Sequence, residues 1–451
     1  MRGLVSSSGF RGLAISEISP EFCMKVGLAL SNILKGKYSV GHDVRITSPL
    51  LAQSLVSGLN AGGSDVIDLG MAPTPAVAFY SEGKTGGAMV TASHNPPEYN
   101  GIKLFDERGA SKTQSFYLSL LSRLDAAAYS AWDSVGSTRS SEGLYKYLDH
   151  VISAATFKKM WKVGLDPGNG STSITAPIAL AQTGASVSTI NLAPDGTFPA
   201  RGSEPDESHT SGLSELVRRK RLDIGFAYDG DGDRLAVIDE HGKFVPQDIA
   251  LAFAASRAVR DKPGSIVVVN VDTSAVVDTM VEEEGGRVLR SKVGDTYILE
   301  EMTMNGSVFG GETCGAWIYP KYAMCPDGVL SSIILMNLLD DSGLKPSEIG
   351  DGLPTLHLNR RKVMCPDHMK TALMHTLSNR VLEMYPGSEI TSIDGIRVSM
   401  TNRSWILVRP SGTEPIVRIT SEAPSESRSR ELADSLSKTV EEIKEELTRK
   451  Q

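Results

Sequence analysis

Four scattered cysteines, no long apolar run and no excess of positive charge set the first limits on this chain of 451 residues. Cys23, Cys314, Cys325 and Cys365 show neither metal-ligand spacing nor a disulfide framework, which suits a reducing compartment. No apolar stretch approaches the ~20 residues of a membrane span. The opening Met1-Arg2-Gly3-Leu4-Val5-Ser6 lacks the apolar region of a signal peptide, so a cytoplasmic protein without a membrane partner is expected. A net charge of -8 gives no support for a nucleic-acid partner, and anionic ligands must be drawn by local positive loops. No Walker or protein-kinase nucleotide loop is present. What the chain does have is apolar material for several cores, 40% of its residues, and a length that suggests about three domains of ~150 residues.

The most informative stretch is Thr91 to Gly101, which puts Ser93 and His94 in a polar turn directly after the apolar run Gly87-Ala88-Met89-Val90. A serine hydroxyl is a weak nucleophile unless a base or metal activates it; alone, the segment reads equally as a capping serine in a strand-to-helix loop. A second loop, Asp229-Gly230-Asp231-Gly232-Asp233-Arg234, sets carboxylates at alternate positions with glycines between, an array of hard oxygen ligands suited to Mg²⁺ or Ca²⁺. A calcium loop of the EF-hand kind is the rival, with Glu240 at its twelfth position. Arg234 stands where that loop needs glycine, however, and both flanks read as buried strands. The loop Arg409-Pro410-Ser411-Gly412-Thr413-Glu414-Pro415 joins a bidentate donor to two hydroxyls, which fits a phosphate or a plain turn. Gly310-Gly311-Glu312-Thr313-Cys314-Gly315 offers one carboxylate where glycines permit close approach, as a polyol would require.

Strand and helix patterns alternate along most of the chain. A helix from about Pro49 to Asn60 precedes a strand at Val66-Ile67-Asp68-Leu69, and Val163-Gly164-Leu165-Asp166 and Ile266-Val267-Val268-Val269 open two further α/β units. Boundaries are expected near Ser141, Gln247 and Asn359. After Asn359 the pattern changes to strands at 396–399 and 406–408 and a last amphipathic helix, with Leu432, Leu436, Val440, Ile443 and Leu447 on one face.

Taken together, in order and spacing, the four loops resemble those of the alpha-D-phosphohexomutases, a family that includes phosphomannomutases, phosphoglucomutases and phosphoglucosamine mutases. The resemblance covers almost the whole chain. It includes Ser7-Ser8-Gly9-Phe10-Arg11-Gly12, Gly41-His42-Asp43-Val44-Arg45, Pro73-Thr74-Pro75, Pro194-Asp195-Gly196-Thr197-Phe198-Pro199, Val293-Gly294-Asp295, Asp327-Gly328 and Asp394-Gly395. It implies three similar α/β domains, 1–145, 146–247 and 248–359, and a C-terminal α+β domain, 360–451, around a central cleft, with a hinge near residue 360.

For chemistry, the resemblance implies that Ser93 carries a phosphoryl group and that Asp229, Asp231 and Asp233, with the Ser93 phosphate, hold Mg²⁺. Arg11, Lys103 and Arg234 would supply positive charge, with Lys103 or His94 moving the proton and Arg11 lowering the pKa of Lys103. Arg409, Ser411, Gly412, Thr413 and Arg418 would hold the phosphate that is not reacting, and Glu312, Cys314 and Lys292 the sugar. The reaction implied is phosphoryl transfer between O1 and O6 of a hexose phosphate, mannose or glucose, through a hexose 1,6-bisphosphate. Phosphoglucosamine is the alternative sugar: the stretch from Ser93 to Asn100 looks more like the phosphomannomutase/phosphoglucomutase branch, and the usual Gly-Glu-x-Ser-Gly-His loop, which here has Cys314 and Ala316 in place of serine and histidine, weakens that preference. Other functional classes stay open at this point: a metal-dependent phosphatase or kinase, and a binding protein without catalysis, which would be signalled by a missing nucleophile or metal carboxylate. Oligomeric state, monomer or homo-oligomer, is open as well. Gly168-Asn169-Gly170 is expected to be structural.

Overall fold

The computed structural model describes residues 2–411 and 415–449, and its described residues form four sheets in chain order. The first has seven strands, ordered Val5–Ser6, Gly9–Leu13, Tyr99–Phe105, Gly86–Val90, Lys37–His42, Asp65–Met71 and Thr138–Ser140. Its centre is parallel and its N-terminal side antiparallel. Gly86–Val90 is buried along its whole length, so the turn that follows leaves the sheet from its middle. Helices Pro20–Ile33 and Ser48–Ala61 cover one face, the former started by Ser19, whose hydroxyl accepts from Phe22 N, and by Pro20 in the first turn.

The second and third sheets have four strands each, three parallel and one antiparallel at an edge. Ile224–Tyr228 and Leu235–Ile238 form a buried antiparallel hairpin whose turn is the Asp229 loop. That geometry removes the EF-hand alternative, and Glu240 is occupied by Ser347. Helix Gly328–Ser342 is apolar almost all round and lies in the core that the first three units share, capped by Asp327, which also accepts from the hydroxyl of Tyr147. Trp317 belongs to that core.

The fourth sheet is antiparallel throughout, ordered His357–Met364, Ile416–Ala423, Trp405–Pro410, Ile396–Ser399 and Glu389–Thr391. On it pack helices Asp367–Met384 and Glu426–Arg449, the latter through Leu432, Leu436, Val440 and Ile443, with Leu447 partly buried. His357–Met364 is paired at every residue with Ile416–Ala423, so a hinge at residue 360 would have to bend a fully paired strand. The stretch without strand or helix just before it, residues 351–356, is where a pivot fits. No helix among the described residues is long and apolar enough to cross a membrane.

The third and fourth units meet at Val271, Ala275, Trp405 and Leu407. Glu422 Oε2 ties this contact, accepting from Ala275 N at 2.9 Å and from Trp405 Nε1 at 2.6 Å. Glu422→Ala leaves both donors buried and unpaired, which costs about 1–3 kcal/mol each where no water reaches them. Amide exchange over residues 271–276 is expected to rise about 10-fold or more in this variant; unchanged exchange would show that docking does not depend on Glu422.

Candidate active site

The four loops singled out in the sequence converge on one cleft of about 360 Å³, lined by Ser93, His94, Lys103, Arg11, Asp233, Arg234, Glu312, Cys314 and Arg409 among others. It opens into an outer region of about 990 Å³ that shares Arg11 and Arg409 and adds Lys292 and Asp394.

Ser93 sits in left-handed backbone, φ 49°, a conformation that costs a non-glycine residue energy and is retained where surrounding bonds fix it. Those bonds are present. Ser93 N donates to Thr91 Oγ1 at 2.8 Å, and Thr91 Oγ1 donates to Asp43 Oδ2 at 2.7 Å. The fully buried Arg45 pairs with Asp43 and donates to the carbonyls of Ser93, Asn95, Pro96 and Tyr99, closing the loop around its guanidinium. Phe198 lies against Arg45, 5.1 Å from the ring centroid, and Ser203 Oγ donates to the carbonyls of His94 and Asn95.

The Asp229 loop approaches from the second sheet. A Cβ on Gly230 would stand 2.7 Å from Ser93 O, so glycine is what permits the approach. Ser93 Oγ donates to Asp229 Oδ2 at 2.7 Å, while Asp229 Oδ1 accepts from the main chain of Gly232 and Arg234. Asp229, Asp231 and Asp233 are all buried, with one oxygen of each within 4.8 Å of the others. Asp231 Oδ1 and Asp233 Oδ1 have no hydrogen-bond partner. Three buried carboxylates with two orphaned oxygens are a donor set for a hard divalent cation such as Mg²⁺, and Ser93 is beside it. Burial and mutual repulsion push Asp229 well above the usual carboxylate range and raise Asp233. Asp231 goes the other way despite its burial, because Lys103 and Thr74 Oγ1 hold it ionised.

Lys103 Nζ is 2.9 Å from Asp231 Oδ2 and also paired with Asp233. Burial and Arg11 lower its pKa, but the two aspartates outweigh them and hold it above the ordinary lysine value. Arg11 acts on Lys103 in the expected direction, but less strongly than Asp231 and Asp233, the carboxylates that the resemblance assigns to Mg²⁺. Arg11 donates to Asn95 Oδ1 at 2.9 Å. His94 is the neutral group. Burial first, then Arg234 and Arg11, lower its pKa to about 2, and its Nδ1 lies 3.4 Å from Ser93 Oγ. Arg234 pairs with both oxygens of Glu204 at 2.7 and 2.8 Å, a partner that sequence reasoning missed because Glu204 lies in a loop with no distinctive pattern of its own.

On the far wall, Glu312 Oε1 accepts from Asn270 Nδ2 at 3.0 Å and Gly294 N at 2.9 Å. Cys314 and Ala316 line the cleft beside it. Arg409 pairs with Asp394 at 2.8 Å and faces Arg418 across the strand pair. Ser411 is buried, and its carbonyl accepts from Lys370. Gly412 and Thr413 lie outside the described residues. Lys292 borders the outer cleft only, over the ring of Tyr297. Asn169 is engaged by Ala193 O, and Arg201 lies against Gly168, as a structural turn requires.

A serine set against a buried carboxylate triad, with arginines and a lysine around it and a second basic loop across the cleft, defines a multidomain enzyme class built for phosphorylated ligands. Comparison with known proteins makes this specific. Phosphoglucomutase/phosphomannomutase models match in chain order: alpha/beta/alpha domain I over residues 2–128, domain II over 145–242, domain III over 246–356 and the C-terminal domain over 362–439. A probable phosphoglucosamine mutase of Methanopyrus kandleri is 38% identical over 97% of this chain and 99% of its own length. A phosphoglucomutase/phosphomannomutase of Thermococcus kodakarensis is 35% identical over 98% and 99%. The crystal structure of a phosphoglucomutase/phosphomannomutase family protein from Burkholderia thailandensis superposes with a TM-score of 0.89 at 25% identity, covering 98% of each chain. The chain belongs to the alpha-D-phosphohexomutase family, with its four-domain architecture.

Burial and the nearby Asp295 raise the pKa of Glu312 to about 7. The folded protein thus holds a proton that the unfolded chain has already released, so stability falls as pH rises from the ordinary carboxyl range to about 7 and is level beyond. In ligand-free protein, Glu312→Gln is expected to be about 1–3 kcal/mol more stable than wild type above neutrality and indistinguishable below about pH 4. Denaturant titration at the two pH values checks this; a constant difference would mean that Glu312 is ionised in the fold.

Proposed function

We propose that this phosphohexomutase interconverts the 1- and 6-phosphates of glucosamine, by phosphoryl transfer through Ser93 and a hexose 1,6-bisphosphate. One observation carries the mechanism: Ser93 Oγ held 2.7 Å from Asp229 in a buried acidic triad with orphaned oxygens. Asp229, Asp231 and Asp233 would hold Mg²⁺, which when bound supplies positive charge to the phosphoryl oxygens. Arg11, Lys103 and Arg234 add to that charge from the surrounding cleft walls. The phosphoserine O–P bond breaks as the bond to the free sugar oxygen forms, and the sugar hydroxyl gives up its proton. His94, with Nδ1 3.4 Å from Ser93 Oγ, and Lys103 are the two candidates to accept it. Arg409, Arg418 and the loop at 411–413 would hold the other phosphate. The bisphosphate then turns over, and its second phosphoryl group returns to Ser93.

For the sugar, the relatives named as probable phosphoglucosamine mutases support glucosamine, and the departures at Cys314 and Ala316 weaken the case for mannose or glucose. Mannose and glucose phosphates are the second reading, favoured by the Ser93 loop and by the Thermococcus kodakarensis relative.

The test is conversion of glucosamine, glucose and mannose 1-phosphates to the 6-phosphates, with Mg²⁺ and a trace of glucose 1,6-bisphosphate. Glucosamine 1-phosphate is expected to have the highest kcat/KM. Ser93→Ala should lower turnover by about 10³-fold or more, as loss of a covalent nucleophile does. Net phosphate release, or activity surviving without Ser93, would overturn the mutase mechanism.

A further inference from the structure

The cleft is electrically divided. Arg11, Lys103, Arg234 and Arg409 mark its phosphate-facing parts, whereas Asp272, Asp295 and Glu312 gather on the wall formed by the third unit. Of these carboxylates, Asp295 accepts from Ser8 Oγ and Ser111 Oγ, and Glu312 from Asn270 and Gly294. Asp272 is different. Its Oδ1 is buried and without a hydrogen-bond partner, and it forms no ion pair with a described side chain.

The main chain around Asp272 is nonetheless firmly held. Arg397, buried over the Trp405 ring, donates to the carbonyls of Val271 and Thr273. Arg290 donates to Thr273 O at 3.1 Å and pairs with Asp278. Thr273 Oγ1 donates to Asn270 Oδ1, and Asn270 donates to Glu312, so the Asp272 turn and the sugar loop form one framework. The arginines behind the turn are thus engaged by carbonyls, Asp278 and an aromatic ring. Asp272 is partly exposed and lines the cleft, and no protein donor reaches its Oδ1, so its carboxylate is open to a donor from a ligand. Cys314 and Ala316, on the same wall, supply no charged donor.

We propose that Asp272 is a specificity-determining residue that pairs with the C2 ammonium of an amino-hexose phosphate. The inference rests on the glucosamine reading above. A ligand with phosphates at its ends and an ammonium on its ring matches the division of the cleft, whereas a neutral C2 hydroxyl offers Asp272 no counter-charge from the cleft side. Because the sugar must react from either end, the ammonium meets Asp272 in one of the two poses. The equilibrium constant does not change, so kcat/KM falls by the same factor in both directions when this contact is lost.

The experiment uses the full chain with Mg²⁺ and a trace of glucose 1,6-bisphosphate, and compares glucosamine 1-phosphate with glucose 1-phosphate for wild type, Asp272→Asn and Asp272→Glu. Asp272→Asn should lower kcat/KM for the amino sugar about 10- to 100-fold and for glucose by less than about 3-fold, with partial recovery in Asp272→Glu. In wild type, the ratio of the two rates should decline as pH rises through the pKa of the sugar amine. Asp295 and Glu312 on the same wall, Arg234 and Arg409 across the cleft, and Asp248, Arg290 and Arg397 behind the turn also act on this ammonium, so the decline is compared with that of Asp272→Asn, which keeps those groups and should show a smaller one. If wild type does not prefer glucosamine phosphate, the substrate reading fails and this inference with it. If the preference exists and survives in Asp272→Asn, or if both sugars lose equally, the inference alone is overturned. Should Asp272→Asn not fold, Asp272→Ser gives the same readout.

Discussion

Three carboxylates confined within 4.8 Å of one another and shielded from water are the constraint on which the centre of this molecule is arranged. Such a group is unstable unless positive charge or hydrogen-bond donors meet it, because burial strengthens repulsion as much as it strengthens attraction. The surroundings answer in layers. Lys103 comes from the first sheet to Asp231 and Asp233, Thr74 adds a hydroxyl, and the main chain of the Asp loop turns its own N–H groups onto Asp229. What is left over, two orphaned oxygens and the Ser93 hydroxyl, is the part that can respond to a metal or a phosphoryl group.

The serine turn has the opposite problem. It is made of main-chain carbonyls pointing inward, and the buried guanidinium of Arg45 gathers them, with Asp43 keeping that guanidinium in place. The acidic loop is therefore organised around a lysine and the serine loop around an arginine. The two loops touch at Gly230, where a Cβ would stand 2.7 Å from Ser93 O.

Most of this was legible in residue order. Alternating carboxylates and glycines announced the metal-type loop, the run ending at Val90 announced a buried strand with a polar turn after it, and the spacing from Leu432 to Leu447 announced the final helix. The partners brought by folding from distant segments were not legible as partners. Arg45 and Asp43 stand in a motif that marked the family without disclosing that its arginine holds the Ser93 turn. Glu204 on Arg234 carried no pattern at all. The surroundings of Lys103 were legible only in part for a related reason: Arg11 could be named as its neighbour from sequence, but how near Asp231 and Asp233 come to its Nζ is set by folding. The pairing of 357–364 with 416–423, at the start of the fourth unit, is likewise a long-range fact that residue order does not carry.

The contact between the first two sheets has a further consequence for synthesis. Lys103, which pairs with Asp231 and Asp233, belongs to the part of the chain made first, and the acidic loop, with Arg234, to the part made next. Domains fold largely as units and in the order they leave the ribosome. The aspartates thus emerge opposite a surface that already carries their counter-charge, and they become buried only as they dock on it. The loop is closed from a third side as well, because Gly328 N donates to Gly232 O, so its burial is complete only once the third unit has been made.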